Sequence, residues 1–437
     1  MKGGIFMKYA LVNGIILNGN YDMVPVKDKI IFVNNGVIEK IAAEGEPVAG
    51  YEIIDMKGKY VLPGLINLHV HIPATGKPKK KQADLPKLVN FFTSNAFMRR
   101  VAYKVTTATA QQELLSGVTT IRTVGGIADF DSKLRDEINS GKKQGPKMIV
   151  SNMAVSVPGG HMAGSLAYEA KSADEAKIYV DEIAKTNPDL IKLMITGGVM
   201  DAKVKGEPGE LKMPPEYVKA ACDEAHKLGY KVAAHVESTQ GVKVALENGV
   251  DTIEHGAEPT PEILELFKTK NAALVTTISP AFPYAIFDTS VSHATDEQKF
   301  NGNIVLNGIV DCAKECLKNG VMVGLGTDTG CPYITHYDMW RELNYFCNFC
   351  GVSSKFAIYT ATKVNSEILG LSDKIGTLEQ GKVADIIAVE KNPIDDITAL
   401  RNVSFVMANG KIADVSKLKK DDEIEHQLDK YVNYKLN

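Results

Sequence analysis

Two histidines separated by one residue, His69 and His71, end an apolar run that begins at Val61. Alternate residues of a β-strand point to the same face, so both imidazoles would project together from the end of a strand. Imidazole is a common ligand of Zn²⁺ and of similar divalent ions. The pair therefore predicts a metal site, although two ligands on one strand fit many kinds of centre.

Four further polar residues lie inside or at the end of apolar runs, namely Lys192, His235, His255 and Asp328. Each alone has an ordinary explanation, because a strand-end histidine is often a core residue and an aspartate after Gly-Thr is often a helix cap. Lys192 lies within the apolar run 190–195, where a charged ammonium group is costly to bury. Four histidines, one lysine and one aspartate in such positions together indicate one shared site.

The middle of the chain alternates apolar strand-like runs with helical patterns, which is typical of β/α units. The eight strand candidates are 64–72, 119–123, 148–151, 190–195, 231–235, 252–255, 273–277 and 322–326. Helical patterns between and after them include 215–228, 240–248, 261–268, 304–318 and 354–369. Eight such strands are the number that a (β/α)8 TIM barrel needs, and sites in that fold lie at the C-terminal strand ends. We therefore predict a (β/α)8 barrel over residues 61–379.

Both ends of the chain follow a different pattern. Short strand-like runs separated by Asn-Gly turns fill the first sixty residues, and the same pattern returns after residue 385. This predicts a small β-sandwich domain formed from both termini, residues 1–60 plus 380–437.

Composition narrows the class of protein. The chain has 437 residues, 44% hydrophobic and 24% charged, and a formal net charge of −3. It therefore lacks the concentrated basic charge that binds nucleic acid or anionic membranes. Its apolar runs fall short of the roughly 18 residues that span a bilayer, and its N-terminus is a poor signal peptide. We expect a cytoplasmic homo-oligomer that acts on a small molecule, with no nucleic acid or membrane partner.

The six cysteines lie between Cys222 and Cys350 and form no disulfide framework, which suits a reduced cytoplasm. Cys347 and Cys350 have the spacing of a metal or redox pair, but their apolar, helical surroundings favour core thiols. The basic run from Lys77 to Lys81 is interpreted as a solvated loop.

The chain resembles the amidohydrolase superfamily, in its subtype with two metals bridged by a carboxylated lysine. Within it, the prolidase-like, Xaa-dipeptidase and ochratoxinase-like group is the most similar. The resemblance covers nearly the whole chain. It rests on the entry VLPGLINLHVH at 61–71, Thr196-Gly197-Gly198, Glu254-His255-Gly256 and the exit GKVADII at 381–387.

The resemblance implies two divalent metal ions, and imidazole and carboxylate ligands suit Zn²⁺. The implied ligands are His69, His71 and Asp328 for the more buried ion, His235 and His255 for the outer ion, and a CO₂-derived carbamate on Lys192 for both. The implied activity is metal-dependent cleavage of an amide or peptide-like C–N bond by a metal-bridging hydroxide, with a dipeptide or N-acyl amino acid as substrate. Asp328 would carry the proton to the leaving amine.

Candidate substrate contacts come from the loops after the strands. His161 follows the third strand and resembles a catalytic position that contacts the substrate carbonyl or carboxylate. Arg122 ends the second strand and is expected at the mouth of the site. Glu237 stands where many relatives have tyrosine, which favours a cationic or amide-bearing substrate group. The loop 200–213 has two interpretations. Its lysines Lys203 and Lys205 could attract a carboxylate of the substrate, or the loop could be a solvated lid.

Other functions remain open. One-metal deamination of a heterocycle, or imidazolonepropionase-like hydrolysis of a cyclic amide, also uses this fold. Such deaminases carry glutamate three residues after the strand-five histidine, where this chain has Ser238, and they have no need for Lys192. A non-catalytic scaffold is disfavoured because all six ligand positions are filled.

Overall fold

The computed structural model describes residues 7–78, 84–202 and 204–436. Three lysines of the predicted basic loop, Lys79 to Lys81, lie outside these ranges, as does Lys203 of the loop 200–213. The strands are β1 Lys8–Val12, β2 Ile15–Ile16, β3 Lys29–Asn34, β4 Val37–Ala43, β5 Glu52–Asp55, β6 Tyr60–Pro63, β7 Leu65–Val70, β8 Val118–Thr123, β9 Lys147–Val150, β10 Ala154–Ser156, β11 Ala167–Glu169, β12 Leu190–Met194, β13 Lys231–Val236, β14 Thr252–His255, β15 Ala273–Thr276, β16 Val323–Leu325, β17 Ile386–Val389, β18 Val403–Ala408 and β19 Lys411–Ala413.

The α-helices are α1 Leu85–Thr93, α2 Ala96–Leu115, α3 Phe130–Asn139, α4 Ala173–Ala184, α5 Pro215–Lys227, α6 Thr239–Glu247, α7 Pro261–Thr269, α8 Ala281–Ile286, α9 Thr289–Ser292, α10 Asp296–Lys318, α11 Met339–Cys350, α12 Ser354–Tyr359, α13 Asn365–Ile368 and α14 Asp422–Asp429. A π-helical turn, Thr360–Val364, joins α12 to α13. Short 3₁₀ helices cover Ile397–Arg401 and Val415–Lys417. Local sequence explains where two of these helices begin. Thr295 forms a capping box with Gln298 at the start of α10, and Ser238 caps the start of α6.

The eight strands predicted for the middle of the chain are all present, as β7 to β9 and β12 to β16. They fall into two parallel sheets, β7-β8-β9 and β11-β10-β12-β13-β14-β15-β16, and not into one continuous sheet. The short strands β10 and β11 are additions that the sequence pattern did not predict. Helices separate most of these strands, so the architecture is mixed α/β.

Backbone hydrogen bonds link the two parallel sheets on both sides. The Asp328 amide donates to the His69 carbonyl over 2.8 Å, and the Asp189 amide donates to the Val150 carbonyl over 2.7 Å. The Asn365 side chain adds a link, because its amide nitrogen donates to the carbonyls of Ile66 on β7 and of Leu325 on β16. The bonds of Asp328 and Asn365 hold the first and last predicted strands beside each other, and the bond of Asp189 holds the third beside the fourth.

Residues from both termini form two further sheets, β4-β3-β1-β5 and β19-β18-β17-β6-β2. Ile31 and Val33 from the first sheet share a buried hydrophobic cluster with Val61 and Ile386 from the second. Strand β6 pairs with β17 and then runs directly into β7, so the terminal sheets fix where the His69 strand begins.

The C-terminal helix α14 packs against α11. Arg341 of α11 contacts Glu425 at 2.9 Å and Asp429 at 2.8 Å. Cys347 and Cys350, at the end of α11, are free thiols partly buried against the core. Throughout the described ranges, each helix is too short or too polar to cross a membrane.

Candidate active site

A buried cavity at the C-terminal ends of the parallel strands collects the six residues singled out as metal ligands. Its walls include His69, His71, Lys192, His235, His255 and Asp328. The Oδ1 atom of Asp328 lies 3.1 Å from Nε2 of His71 and 3.4 Å from Nε2 of His69. His69, His255 and Asp328 each offer one ligand atom within 4.8 Å of the others. This is the spacing of a metal centre.

A second trio of donors adjoins the first and shares one histidine with it. His235, Glu237 and His255 each place a ligand atom within 4.8 Å of the other two. The ring centroids of His235 and His255 are 4.6 Å apart, and those of His69 and His255 are 4.9 Å apart. The two trios share His255 and therefore form one continuous group of donors.

The backbone turns sharply where two of these side chains enter the cavity. His255 has a φ of 71° and Asp328 has a φ of 55°, both in the left-handed region that non-glycine residues rarely adopt. Such strain is often found at functional sites, where the surrounding structure holds it. The close approach of β16 to β7 depends on Gly326, because a Cβ there would lie 2.5 Å from the Cβ of His69.

Each of the four histidines uses one ring nitrogen for a partner outside the cavity. These pairs are His69 Nδ1 with Glu254 at 2.8 Å, His71 Nδ1 with the Gly125 carbonyl at 3.0 Å, His255 Nδ1 with Thr277 Oγ1 at 2.6 Å, and His235 Nε2 with the Gly197 carbonyl at 3.4 Å. The other ring nitrogen, which in His69 and His71 contacts Asp328, is the atom that would bind a metal ion. Such outer partners fix the tautomer and orientation of metal-binding histidines.

Arg122 lies behind the site and not at its mouth, which corrects its predicted role as a substrate contact. Its side chain is buried and donates to both carboxylate oxygens of Glu254, at 2.7 and 2.8 Å. It also donates to the Leu68 carbonyl and to Thr252. With its guanidinium bonded in this way, Arg122 holds Glu254 in place.

Glu254 is a functional residue that the sequence reasoning did not single out. Burial alone would raise the pKa of its carboxyl, but the charge of Arg122 and the hydrogen bond from His69 outweigh burial and lower it. The carboxylate therefore stays charged beneath His69. The sequence did contain a signal, because Glu254 lies inside the predicted strand of β14. A buried charge is costly unless it is paired, so this glutamate indicated a charged partner nearby.

Lys192 is fully buried on β12, and it is one of the residues that line the cavity. Within the part of the chain that the structure describes, Nζ has no hydrogen-bond partner. Burial lowers the pKa of Lys192 to about 8, although Glu254 and Asp328 act in the opposite direction. A buried amine without a partner needs a compensating group, and a carboxylated amine that binds cations would supply one. The donor set around it fits divalent metal ions.

The protonation of the neighbouring donors also suits metal binding. Burial lowers the pKa of His235 and His255 well below the usual value, so both imidazoles are neutral. Burial would raise the pKa of Asp328, but His69 and His71 outweigh it and hold the pKa well below its usual range. Neutral imidazoles and a carboxylate are the forms that bind metals.

His161 lies at the cavity beside the outer donors. Its ring stacks on that of His235, with centroids 4.1 Å apart and planes 5° from parallel. Its Nδ1 bonds to Asp201 at 2.5 Å, and Asp201 also accepts from the Gly198 amide at 3.0 Å. Burial alone would raise the pKa of Asp201, but the bond to His161 outweighs it and lowers the pKa. Asp201, which the sequence reasoning missed, thus orients His161.

Glu237 also lines the cavity. One of its carboxylate oxygens accepts from the Val199 amide at 3.1 Å. Burial, together with the charges of Asp328 and Asp201, raises the pKa of Glu237 to about 8. A cation next to this carboxyl would favour its charged form.

The rest of the wall is mostly apolar. It consists of Met162, Met194, Gly198, Val199, Met200, Pro280, Ala281, Tyr284 and Cys331. Tyr284 is the aromatic residue of this wall, whereas the nearby Phe282 and Phe287 pack into the core against Tyr431. Lys205, which was considered for carboxylate binding, is exposed beside Phe300.

The parallel sheets of the α/β fold carry a cavity lined by histidine, lysine and carboxylate donors, and the relatives of the chain are consistent with a hydrolase that acts on C–N bonds. The chain belongs to the amidohydrolase family, whose sequence model matches residues 60–413. This confirms the resemblance inferred from its motifs.

Three relatives are informative. A candidate prolidase from Bifidobacterium longum superimposes with a TM-score of 0.86 at 33% identity, over 98% of this chain and 99% of that one. A Xaa-Pro dipeptidase solved with bound methionine has a TM-score of 0.82 at 28% identity, over 93% and 100%. Ochratoxinase from Aspergillus niger is 24% identical over 432 residues, which cover 91% of this chain and 85% of the relative.

Proposed function

We propose that this protein is a metal-dependent hydrolase that cleaves the amide bond of a dipeptide or N-acyl amino acid. One observation carries the proposal. The buried nitrogen of Lys192 has no partner within the described residues, and Lys192 lines the same cavity as four histidines and Asp328. The similarity to a Xaa-Pro dipeptidase supports the choice of a peptide-like substrate.

In this proposal His69, His71 and Asp328 hold one divalent ion, and His235 and His255 hold a second. Lys192 would join both as a carbamate: its ammonium group first loses a proton, the neutral Nζ then attacks the carbon of CO₂, so that a C–N bond forms as one C=O π bond opens, and a second proton leaves the nitrogen. The carbamate then turns a costly buried cation into an anion. We propose that both ions are Zn²⁺. When bound, they would polarise the scissile carbonyl and lower the pKa of the attacking water.

The protein residues around the cavity handle protons and substrate. Asp328, ionised next to two histidines, accepts the proton of the attacking water and passes it to the leaving amine. His161, held by Asp201, directs its other ring nitrogen to an oxygen of the substrate. Arg122 takes no part in substrate binding in this scheme, because its contacts are with Glu254, Leu68 and Thr252.

We also infer that the two parallel sheets close into a (β/α)8 barrel over residues 61–379. The bonds from Asp328 to His69 and from Asp189 to Val150 support closure. The two terminal sheets would form a β-sandwich from residues 1–60 and 380–437, supported by the hydrophobic cluster that they share. A cytoplasmic location and a homo-oligomer remain predictions.

The test is a library of dipeptides and N-acyl amino acids assayed with the Zn²⁺-loaded protein. We expect hydrolysis of at least one class. Turnover of a cyclic amide, or release of ammonia from a heterocycle, without hydrolysis of either class would contradict the proposal. Ser238, which caps helix α6, speaks against the deaminase alternative.

A further inference from the structure

We propose that Glu237 binds the α-ammonium group of the substrate, so that the enzyme acts on peptides with a free amino terminus and not on N-acylated amino acids. This inference rests on the proposed function and narrows its substrate class. It follows from how Glu237 is held, from the charges around it and from its distance to the outer histidines.

The Glu237 carboxylate is held in a fixed position beside the cavity. One oxygen accepts from the Val199 amide at 3.1 Å, and the backbone amide of Glu237 donates to Thr196 at 3.0 Å. The wall between Glu237 and His161 is formed by Gly198, where a Cβ would lie 3.4 Å from a Glu237 oxygen and 3.5 Å from the His161 ring. These are ordinary contact distances, so glycine leaves space for about one further carbon atom between the two side chains.

The charges around the cavity favour a cation at this place. Each of the other two carboxylates nearby has a partner, because Asp328 contacts His69 and His71, and Asp201 contacts His161. Across the described ranges, no lysine, arginine or histidine forms an ion pair with Glu237. Lys192 is the one basic aliphatic side chain among the described wall residues, and in the proposed function it is an anion. A buried carboxylate of this kind is best matched by a cation of the substrate.

The distance between Glu237 and the outer histidines indicates which cation of the substrate can bind. Glu237 places an oxygen within 4.8 Å of a ring nitrogen of both His235 and His255. The scissile carbonyl has to lie at these histidines, so the cation must be close to the carbonyl. An α-amino nitrogen is about 2.5 Å from its own carbonyl carbon, from standard backbone dimensions. A lysine or arginine side chain carries its charge several bonds further away. The α-ammonium group therefore fits, and an acylated nitrogen carries no charge to bind.

The experiment compares two substrates that differ only in this amine. L-alanyl-L-leucine and N-propionyl-L-leucine have the same acyl skeleton and the same scissile amide. The Zn²⁺-loaded protein should hydrolyse the alanyl compound with the higher kcat/KM. Glu237→Gln keeps the size of the side chain and removes its charge. It should lower kcat/KM for the alanyl substrate about 10- to 100-fold, the range of a charge-assisted hydrogen bond, and change the propionyl value less than about threefold.

Two further measurements separate this role from metal binding. Elemental analysis of Glu237→Gln should find the same metal content as in the unchanged protein. Calorimetry should show L-alanine binding more weakly to the variant, with propionate unaffected. The matched control is Glu258→Gln, because Glu258 is exposed and outside the cavity wall. Loss of one ion from Glu237→Gln would make Glu237 a ligand and overturn the inference.

Failure of the inference differs from failure of the proposed function. Equal hydrolysis of the alanyl and propionyl substrates, or an equal loss of both in Glu237→Gln, overturns the role of Glu237 and leaves amide hydrolysis intact. Hydrolysis of neither substrate, with turnover of a cyclic amide instead, overturns both.

Discussion

The carboxylate of Glu254 lies 2.8 Å from Nδ1 of His69 and accepts its hydrogen bond. The two residues are 185 positions apart in sequence, on β14 and β7. Arg122 bonds to the same carboxylate from the other side, so His69 is held with Nε2 toward Asp328. The orientation of the first predicted ligand thus depends on a buried charge pair outside the cavity.

Glu254→Gln should weaken metal binding without unfolding the protein. The amide keeps the size of the side chain but loses the charge that faces Arg122 and orients His69. Loss of such an outer partner typically costs about 10- to 100-fold in metal affinity. Competition with a chelator measures this affinity, with the exposed Glu265→Gln as the control. An affinity equal to that of the control would refute the orienting role.

Asp328→Asn should keep bound metal but lose hydrolysis. The amide can still offer an oxygen ligand, whereas it cannot accept and deliver the proton. We expect kcat to fall by about 10³-fold, within the range for loss of general acid–base catalysis. Steady-state rates and elemental analysis on the same sample test this. A near-normal rate would exclude Asp328 as the proton carrier.

Asp201→Asn should impair the use of substrate and leave the metal content unchanged. Asp201 accepts from the His161 ring, and the amide variant no longer fixes its tautomer. Because His161 lies beside the cavity and stacks on His235, we expect kcat/KM to fall about 10-fold or more. Retention of full kcat/KM would show that His161 needs no orienting partner.

Asp385 should make the stability of the protein depend on pH. Burial raises the pKa of its carboxyl from 3.8 to about 6, against the hydrogen bond from the Asn409 amide. The folded state thus holds the proton more tightly than the unfolded state, and this contribution to stability is lost as pH rises through about 6. Asp385→Asn removes the effect. Relative to the unchanged protein, the free energy of unfolding of this variant should rise by about 2 kcal/mol between pH 4 and pH 7.5, at about 1.4 kcal/mol per pKa unit.

Urea unfolding at several pH values measures this difference. The exposed Asp395→Asn is the control and should show no such trend. A constant difference between Asp385→Asn and the unchanged protein across this pH range would contradict the buried, proton-holding Asp385.

The sequence was sufficient to predict the eight parallel strands. It also predicted that the six candidate metal ligands lie close together, because each of these six residues is within or at the end of an apolar run. Such runs mark buried strands, and the C-terminal ends of parallel strands meet at one edge. Lys192 is the clearest case, since its charge conflicts with its surroundings in the sequence itself. In the structure this side chain is buried without a hydrogen-bond partner among the described residues, and it lines the cavity.

Contacts between distant segments were not predictable in this way. All six residues of β8 are buried, so periodicity gives no face for Arg122, and its long side chain reaches Glu254 instead of the mouth. Asp201 lies in an irregular loop, where no period indicates a partner for His161. The division of the parallel strands into two sheets depends on backbone hydrogen bonding, which residue types do not specify.

Lys192→Ala tests the central claim most directly, because the bridging carbamate requires this nitrogen. The measurement is the metal content of the purified variant by elemental analysis, beside the unchanged protein prepared in Zn²⁺ and bicarbonate. We predict two ions per chain in the unchanged protein, at most one in Lys192→Ala, and no hydrolysis by the variant. Two tightly bound ions in Lys192→Ala would contradict the bridging role of Lys192 and with it the two-metal account.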